Sequence, residues 1–198
     1  MNRRPSAAGF TLAEILVAVV IIGMLAAVAG VAWGRYVRRI KSAEAAINVR
    51  KMFDISVAYY EAEHAAPSAA ILPRQFPASV GWTPGEPGVC CKGAQHKCPP
   101  GQVKGTWDDP SWVALQFSIE EPFYFSYQYD AGGTGAAAHF TASGGGDLVC
   151  DEGGNNGNGN GNGKGNGHGN VTSLFQRVGW IQGGNVTGGA LYTSNETE

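Results

Sequence analysis

Four cysteines carry the most evident potential for chemistry in this sequence: Cys90, Cys91, Cys98 and Cys150. Three of them lie close to His96, and such a cluster of sulfur and imidazole groups can bind zinc. The spacing lacks the Cys-x-x-Cys pair that usually holds this metal. In an oxidising compartment the four would form disulfides instead. A bond between the adjacent Cys90 and Cys91 is sterically poor, so two pairings remain open, and each uses both Cys98 and Cys150 as partners.

The histidines give no support for an enzyme. They are scattered along the sequence, at His64, His96, His139 and His168. The last of them falls inside a Gly/Asn repeat, which is a poor place for a rigid site. The sequence contains no Gly-x-Ser-x-Gly, no His-Glu-x-x-His and no phosphate-binding glycine loop. We therefore expect a protein that is not an enzyme and has no catalytic residues.

Glu14 is the other residue whose surroundings require an explanation. It lies inside an apolar stretch from Phe10 to Gly34, with basic residues on both sides. As a helix this stretch is about 37 Å long, enough to cross a bilayer. A charge inside a membrane helix costs roughly 3 kcal/mol, so it indicates a partner or a function. Two ordinary interpretations, a signal anchor and a secretory signal peptide cleaved near residues 27–29, give Glu14 no partner.

The segment GFTLAEILVAVVIIG, from Gly9 to Gly23, resembles the prepilin motif of type IV pilins and type II secretion pseudopilins. In that family a membrane aspartyl peptidase cuts after the glycine and methylates the new amino terminus. The resemblance implies that residues 1–9 are a leader and that the chain is cut between Gly9 and Phe10, with N-methylation of Phe10. It also implies that Glu14 pairs with the amine of a neighbouring subunit's first residue, so that two charges that are costly in an apolar filament core offset each other.

The same resemblance implies a function and a set of partners. We expect a structural subunit of a type IV pilus-like filament, made as a single-pass inner-membrane precursor in a Gram-negative bacterium and then packed against copies of itself at the cell surface. Its other partners would be prepilin peptidase, the inner-membrane assembly platform and minor pilins. Two alternatives stay open: a type II secretion pseudopilin in a periplasmic pseudopilus, and a minor tip pilin for adhesion or DNA uptake.

The charge balance argues against nucleic acid as a partner. Lys and Arg total 14 against 16 for Asp and Glu, and the formal net charge is -2 at pH 7. Loss of Arg3 and Arg4 with the leader makes the mature chain more acidic. Without a basic excess there is no long-range attraction to a phosphate backbone, so we expect no nucleic acid partner by default.

The elements that position the motif begin with the helix itself. Residues 35–64 contain neither glycine nor proline, and Pro67 marks the stop. The apolar residues of this half cover a wide arc, which favours burial on more than one side, although a single core-facing stripe remains possible. Many prolines, together with several glycines, then indicate an irregular connector, in the place of the variable loop of pilins.

Segments rich in β-forming residues follow the connector and predict an antiparallel meander. The expected strands are 112–119, 123–129, 136–142, 147–150 and 171–180. A Gly/Asn-rich surface loop is expected at 153–170. Together with the resemblance, these elements predict an α+β protein with the type IV pilin fold, in which a long N-terminal helical spine packs against a C-terminal antiparallel β-sheet head. The expected segments are the leader 1–9, the membrane and filament-core half of the spine 10–34, its amphipathic half 35–66, the connector 67–110 and the head 111–198.

An acidic turn near the end of the expected sheet is the last candidate site. Some pilins and pseudopilins hold a calcium ion in a loop near the end of the sheet, and the Gly-Asp-Leu sequence from Gly146 resembles such a loop. The resemblance implies calcium at Asp147, Asp151 and Glu152, whose oxygens suit this ion. The residues that follow the first Asp do not alternate Asp with Gly, so we favour a solvated turn and no cofactor. The turn, the cysteine-containing connector and the Trp-rich entry to the sheet also resemble pilin-like proteins of myxobacteria.

Overall fold

The computed structural model describes residues 11–64, 71–100, 106–150 and 173–196. It divides between Val37 and Arg38 into two compact units, which we call the N-terminal unit and the head unit. The described α-helices and strands are α1 (Leu12–Glu61), β1 (Val80–Thr83), α2 (Pro110–Leu115), β2 (Ser126–Gly132), β3 (His139–Gly146), β4 (Ser173–Gln182), β5 (Asn185–Gly188) and β6 (Tyr192–Ser194).

The strands of the head unit form a single antiparallel sheet. Its order is β1-β2-β3-β4-β5, and β6 pairs with the edge of β4. The register of β2 against β3 places Tyr127 opposite Gly144 and Tyr129 opposite Ala142. Since side chains alternate across a sheet, these residues share one face, and that face packs on the head-unit part of α1. The α+β class predicted from the sequence, a long N-terminal helix followed by an antiparallel sheet, is confirmed.

The head-unit part of α1 buries a single stripe against this sheet. The buried positions recur at helical spacing, as expected for an amphipathic helix, and they are Ser42, Ala45, Val49, Met52, Phe53, Ser56 and Tyr60. Ile55, Val57 and Tyr59 are only half-buried at its flanks. In the chain by itself, the core-facing stripe is therefore the pattern that the helix adopts.

Close approach of α1 to the sheet depends on glycine in the strands. A Cβ added at Gly188 would collide with the ring of Phe53 on α1, and one added at Gly179 would collide with the ring of Phe140. The two rings lie 5.4 Å apart between centroids, within the range of favourable aromatic pairs. The absence of a side chain at these two strand positions therefore makes room for the aromatic core.

The expected strand at 112–119 is wrong, because the segment begins with the helix α2. The carboxylate of Asp109 accepts a hydrogen bond from the backbone N–H of Ser111 at 2.8 Å, and Pro110 occupies the first turn. An aspartate N-cap followed by proline is a strong start signal for a helix. Gln116 ends the helix in a left-handed conformation, with a φ of 52°.

Other predicted boundaries also need correction. The helix α1 ends at Glu61, before the predicted end of the spine at residue 66. The first strand, β1, lies inside the expected connector, so the sheet begins well before residue 111. Residues 147–150 form a turn and not the expected strand. The predicted Gly/Asn loop 153–170 lies outside the described residues.

Candidate functional site

The N-terminal unit exposes the apolar side chains of α1. From Leu12 to Tyr36 every side chain that the structure describes is exposed, including Leu12 at 83% and Val28 at 74%. By length and composition, α1 is the one described helix that could span a membrane, and none of its most apolar window is buried within the chain. Such a surface is stable only in a bilayer or against apolar surfaces of other molecules.

Glu14 closes the first turn of this helix together with Thr11. The backbone N–H and the hydroxyl of Thr11 both donate to Oε2 of Glu14 at 2.8 Å, and the backbone N–H of Glu14 lies 3.3 Å from the Thr11 hydroxyl oxygen. This reciprocal arrangement is a capping box, which provides partners for N–H groups that a helix start leaves unpaired. Oε1 of Glu14 has no donor among the residues that the structure describes.

The sequence contains a signal for this cap, which the sequence analysis did not identify because it considered Glu14 only as part of the prepilin motif. Thr-x-x-Glu directly before an apolar run is the pattern of a capping box. The two predicted processing residues, Gly9 and Phe10, lie outside the described residues. The structure therefore locates Glu14 and leaves the cleavage site a prediction.

Glycines give the apolar half of α1 an open side. A Cβ added at Gly23, Gly30 or Gly34 would meet no atom within 4 Å. Gly30 and Gly34 are four residues apart, the spacing at which small residues let another helix approach closely. This spacing suits close packing of a second helix.

A second glutamate of α1, Glu44, anchors the helix to the sheet in the head unit. Its carboxylate accepts hydrogen bonds from the backbone N–H of Tyr124 at 3.1 Å and from the hydroxyl of Tyr127 at 3.2 Å. The side-chain amide of Asn48, one turn later on α1, donates to the same hydroxyl at 2.8 Å. The residues in contact here are about 80 positions apart in the sequence. No local sequence pattern predicts such a contact, and the sequence analysis did not identify this network.

Burial governs the electrostatics of this network. It raises the pKa of Glu44 above its ordinary value, while hydrogen bonds from Tyr124 and Tyr127 and the charge of Lys97 act in the opposite direction. Burial likewise raises the pKa of Tyr127, helped by the negative charge of Glu44. The carboxylate is thus held in a partly dry site by directed hydrogen bonds, at a cost in desolvation.

All four cysteines form disulfides in the head unit. Cys90 is bonded to Cys98, and Cys91 to Cys150. The first bond closes a loop within the predicted connector, and the second ties that loop to the turn after β3. This is one of the two pairings that the sequence left open. Because no free thiol remains, the zinc site that was considered at these cysteines and His96 is excluded.

The acidic turn after β3 uses its first carboxylate internally. Oδ1 of Asp147 accepts hydrogen bonds from the backbone N–H groups of Val149 and Cys150, both at 3.0 Å. This is the way in which an aspartate stabilises a tight turn without a metal. The other two residues of the expected calcium site, Asp151 and Glu152, lie outside the described residues, so that site stays a prediction.

Residues 4–30 match the family model of the prokaryotic N-terminal methylation motif. The match covers both expected processing residues and Glu14, and it supports a type IV pilin-like protein. The motif points to a structural protein. No curated protein and no solved structure matches the chain significantly. The resemblance to myxobacterial proteins stays a prediction.

Proposed function

We propose that this chain is a structural subunit of a type IV pilus-like filament. It is made as an inner-membrane precursor, cut after Gly9 by prepilin peptidase, methylated on Phe10 and transferred through the assembly platform into a helical filament. Copies of the chain and minor pilins are then its partners. One observation carries the proposal: a methylation motif is joined directly to a helix whose apolar half has no buried contact within its own chain.

The energy of assembly in this proposal comes from the N-terminal unit. Exposed apolar side chains on successive subunits leave the bilayer and pack against one another, which keeps them out of water in both states. The open side at Gly30 and Gly34 permits close helix–helix contact. The head unit contributes a folded body with an aromatic core of its own.

Glu14 has two functions in the proposed filament. Oε2 remains in the capping box of its own helix. Oε1 accepts a hydrogen bond from the protonated amine of Phe10 of a neighbouring subunit. The pair removes two uncompensated charges from the filament core, and thereby selects one stagger between helices. A helix shifted along its neighbour would leave both charges unpaired, which is costly in apolar surroundings.

The test is N-terminal peptide mass spectrometry on filaments sheared from the native cells, beside the membrane fraction. We expect an N-methylated Phe10 start in abundant sheared material. The same start confined to membranes would assign the chain to a secretion pseudopilus or to a minor subunit. A start at Met1 or near Gly30 would contradict the proposal altogether.

A further inference from the structure

Two lysines of the head unit share one aromatic ring. The ammonium of Lys41 on α1 lies 4.7 Å from the ring centroid of Tyr124, and that of Lys97 lies 5.0 Å from it. All three side chains are half-exposed. Cation–π attraction holds each ammonium near the ring, but it does not neutralise either charge.

The covalent and hydrogen-bonded frame of the head fixes this cluster. Lys97 precedes Cys98, which is bonded to Cys90 and pairs with Phe123 through two backbone hydrogen bonds of 2.8 and 3.3 Å. Tyr124 follows Phe123 and donates its own N–H to Glu44. Lys41 lies one helical turn before that glutamate. The lysines therefore come from separate parts of the chain and are brought together by the fold.

The cluster has one positive charge more than the acid beside it can offset, because Glu44 interacts electrostatically with Lys97 but carries a single negative charge. Among the described residues neither Lys41 nor Lys97 forms an ion pair within 4.0 Å. Glu44 is the nearest acid of the network, and its oxygens are occupied by the Tyr124 amide and the Tyr127 hydroxyl. Two like charges beside one ring repel each other, so an anion placed between them would be bound favourably.

Lys41 lies soon after the apolar run in the sequence. Lys41 follows Gly34, the last residue of the apolar run, by seven positions, and Arg35 and Arg39 lie between them. Basic residues beside a membrane span attract anionic lipids.

We propose that Lys41, Lys97 and Tyr124 bind the phosphodiester headgroup of an anionic phospholipid while the subunit is stored in the membrane. The phosphate oxygens accept hydrogen bonds from both ammonium groups, and the ring of Tyr124 lies beside the glycerol backbone. This inference rests on the membrane-inserted precursor of the proposed function. It does not depend on cleavage, methylation or filament growth.

A carboxylate on a neighbouring subunit is the competing occupant. A carboxylate would reach the lysines only after assembly, whereas the precursor meets headgroups as soon as it is inserted. The run of basic residues directly after the apolar stretch favours a planar anionic surface over a single acid. For this reason the lipid is the occupant that we propose, and the carboxylate is an outcome of the test.

The experiment uses the full chain in detergent, with native mass spectrometry to count bound phosphatidylglycerol against phosphatidylcholine. Lys41→Ala and Lys97→Ala are compared with Lys51→Ala. The last is a matched control, because Lys51 also lies on α1 and its ammonium is 5.3 Å from the ring of Phe117. We expect preferential retention of phosphatidylglycerol, reduced about five-fold by each of the first two changes and unchanged by the control.

Three results would overturn the proposal. One is equal retention of the two lipids by the unchanged protein. Another is equal retention of phosphatidylglycerol by all three variants. If Lys41→Ala and Lys97→Ala then also gave fewer filaments than Lys51→Ala, these lysines would bind a carboxylate of a neighbouring subunit instead. The third is competition by millimolar inorganic phosphate as strong as by the lipid, which would indicate a free-phosphate site. Carbonate extraction of membranes tests insertion separately, so failure of the proposed precursor state is recognised on its own.

Discussion

The two units of this chain share the helix α1 but differ in what surrounds its apolar side chains. In the N-terminal unit the apolar side chains of α1 are exposed, and none of its most apolar window is buried. In the head unit the same helix buries a stripe from Ser42 to Tyr60 against a sheet. One half of α1 therefore depends on other molecules for a stable environment, and the other half packs against the sheet of its own chain.

Two glutamates make the contrast concrete. Glu14 bonds only within its own first turn and keeps one oxygen without a donor among the described residues. The carboxylate of Glu44 accepts hydrogen bonds from the backbone N–H of Tyr124 and from the hydroxyl of Tyr127, which are distant in the sequence. Glu14 is exposed, whereas Glu44 is half-buried. Of the two, Glu44 holds distant parts of its own chain together, and Glu14 bonds to a residue of its own helix turn.

The largest expected effect comes from a substitution of Glu14, which changes the N-terminal unit and leaves the head unit as it is. Glu14→Gln keeps a side-chain acceptor for the capping box but removes the charge. We expect cleavage after Gly9 to continue and filaments to be lost, because the amine of the neighbouring Phe10 would have no countercharge. Yields of sheared filaments and N-terminal mass spectra of the membrane fraction measure the two steps.

Thr11→Ala is the matched control for that experiment. It removes the cap, at a cost of about 1 kcal/mol in helix stability, but it keeps the carboxylate. Filaments should still form. If Thr11→Ala abolished filaments while Glu14→Gln assembled normally, the role of Glu14 would be that of a helix cap and the intermolecular pair would be wrong.

The next effect is a loss of stability of the head unit when a disulfide is removed. Cys91 and Cys150 are 59 positions apart in the sequence, and the loop-closure argument gives their bond about 4 kcal/mol of stability. Cys90 and Cys98 are separated by 8 positions, for which the same argument gives about 2.5 kcal/mol. Double serine variants of each pair, unfolded by denaturant in detergent, should follow this order. Equal or reversed losses would contradict it, and membrane insertion should be unaffected in both variants.

Glu44 gives a smaller and pH-dependent effect. Burial raises its pKa in the folded state, so the stability linked to this group is fully present below its unfolded pKa and is lost as pH rises through the folded value. Glu44→Gln keeps an acceptor for the Tyr124 amide without a charge. The difference in unfolding free energy, unchanged protein minus variant, should therefore fall from pH 4 to pH 7.

Glu44→Ala provides the complementary measurement. It leaves the Tyr124 N–H and the Tyr127 hydroxyl without their acceptor, so it should be less stable than Glu44→Gln by about 1–3 kcal/mol. Neither variant titrates at this position, so the difference between the two should not depend on pH. Denaturant unfolding at pH 4 and pH 7 measures both variants. A Gln variant as unstable as the Ala variant at pH 7 would show that the ionised carboxylate stabilises the head, contrary to the direction argued here.

The sequence was informative where a signal is local. The apolar run, the methylation motif and the α+β class follow from short patterns, and they are confirmed. The helix α2 was mistaken for a strand because its apolar residues outweighed the Asp109–Pro110 start signal, which is also local and was available. The short strands β5 and β6 have only four and three residues, too few for a clear alternating pattern, and each pairs with β4.

The candidate sites divide in the same way. Glu14 was found because a charge in an apolar run is conspicuous. Glu44 and the two lysines around Tyr124 lie among ordinary polar residues of an amphipathic helix and a loop, and only the fold brings them to their partners. The disulfide pairing is also a property of the fold, because two pairings satisfied the sequence equally.

The smallest expected effect concerns Asp147 and sharpens the view that the head is complete without a ligand. Its Oδ1 already accepts two backbone N–H groups of its own turn, so removal of calcium by EGTA should shift the melting temperature of the head by less than about 1 °C. Asp147→Asn keeps the accepting oxygen, and its effect should be equally small. A fall of several degrees with EGTA that Asp147→Asn reproduces would instead establish a calcium site, because a neutral amide keeps the turn but weakens the hold on a divalent cation. The head would then resemble the N-terminal unit in one respect, since it too would depend on a partner from outside the chain.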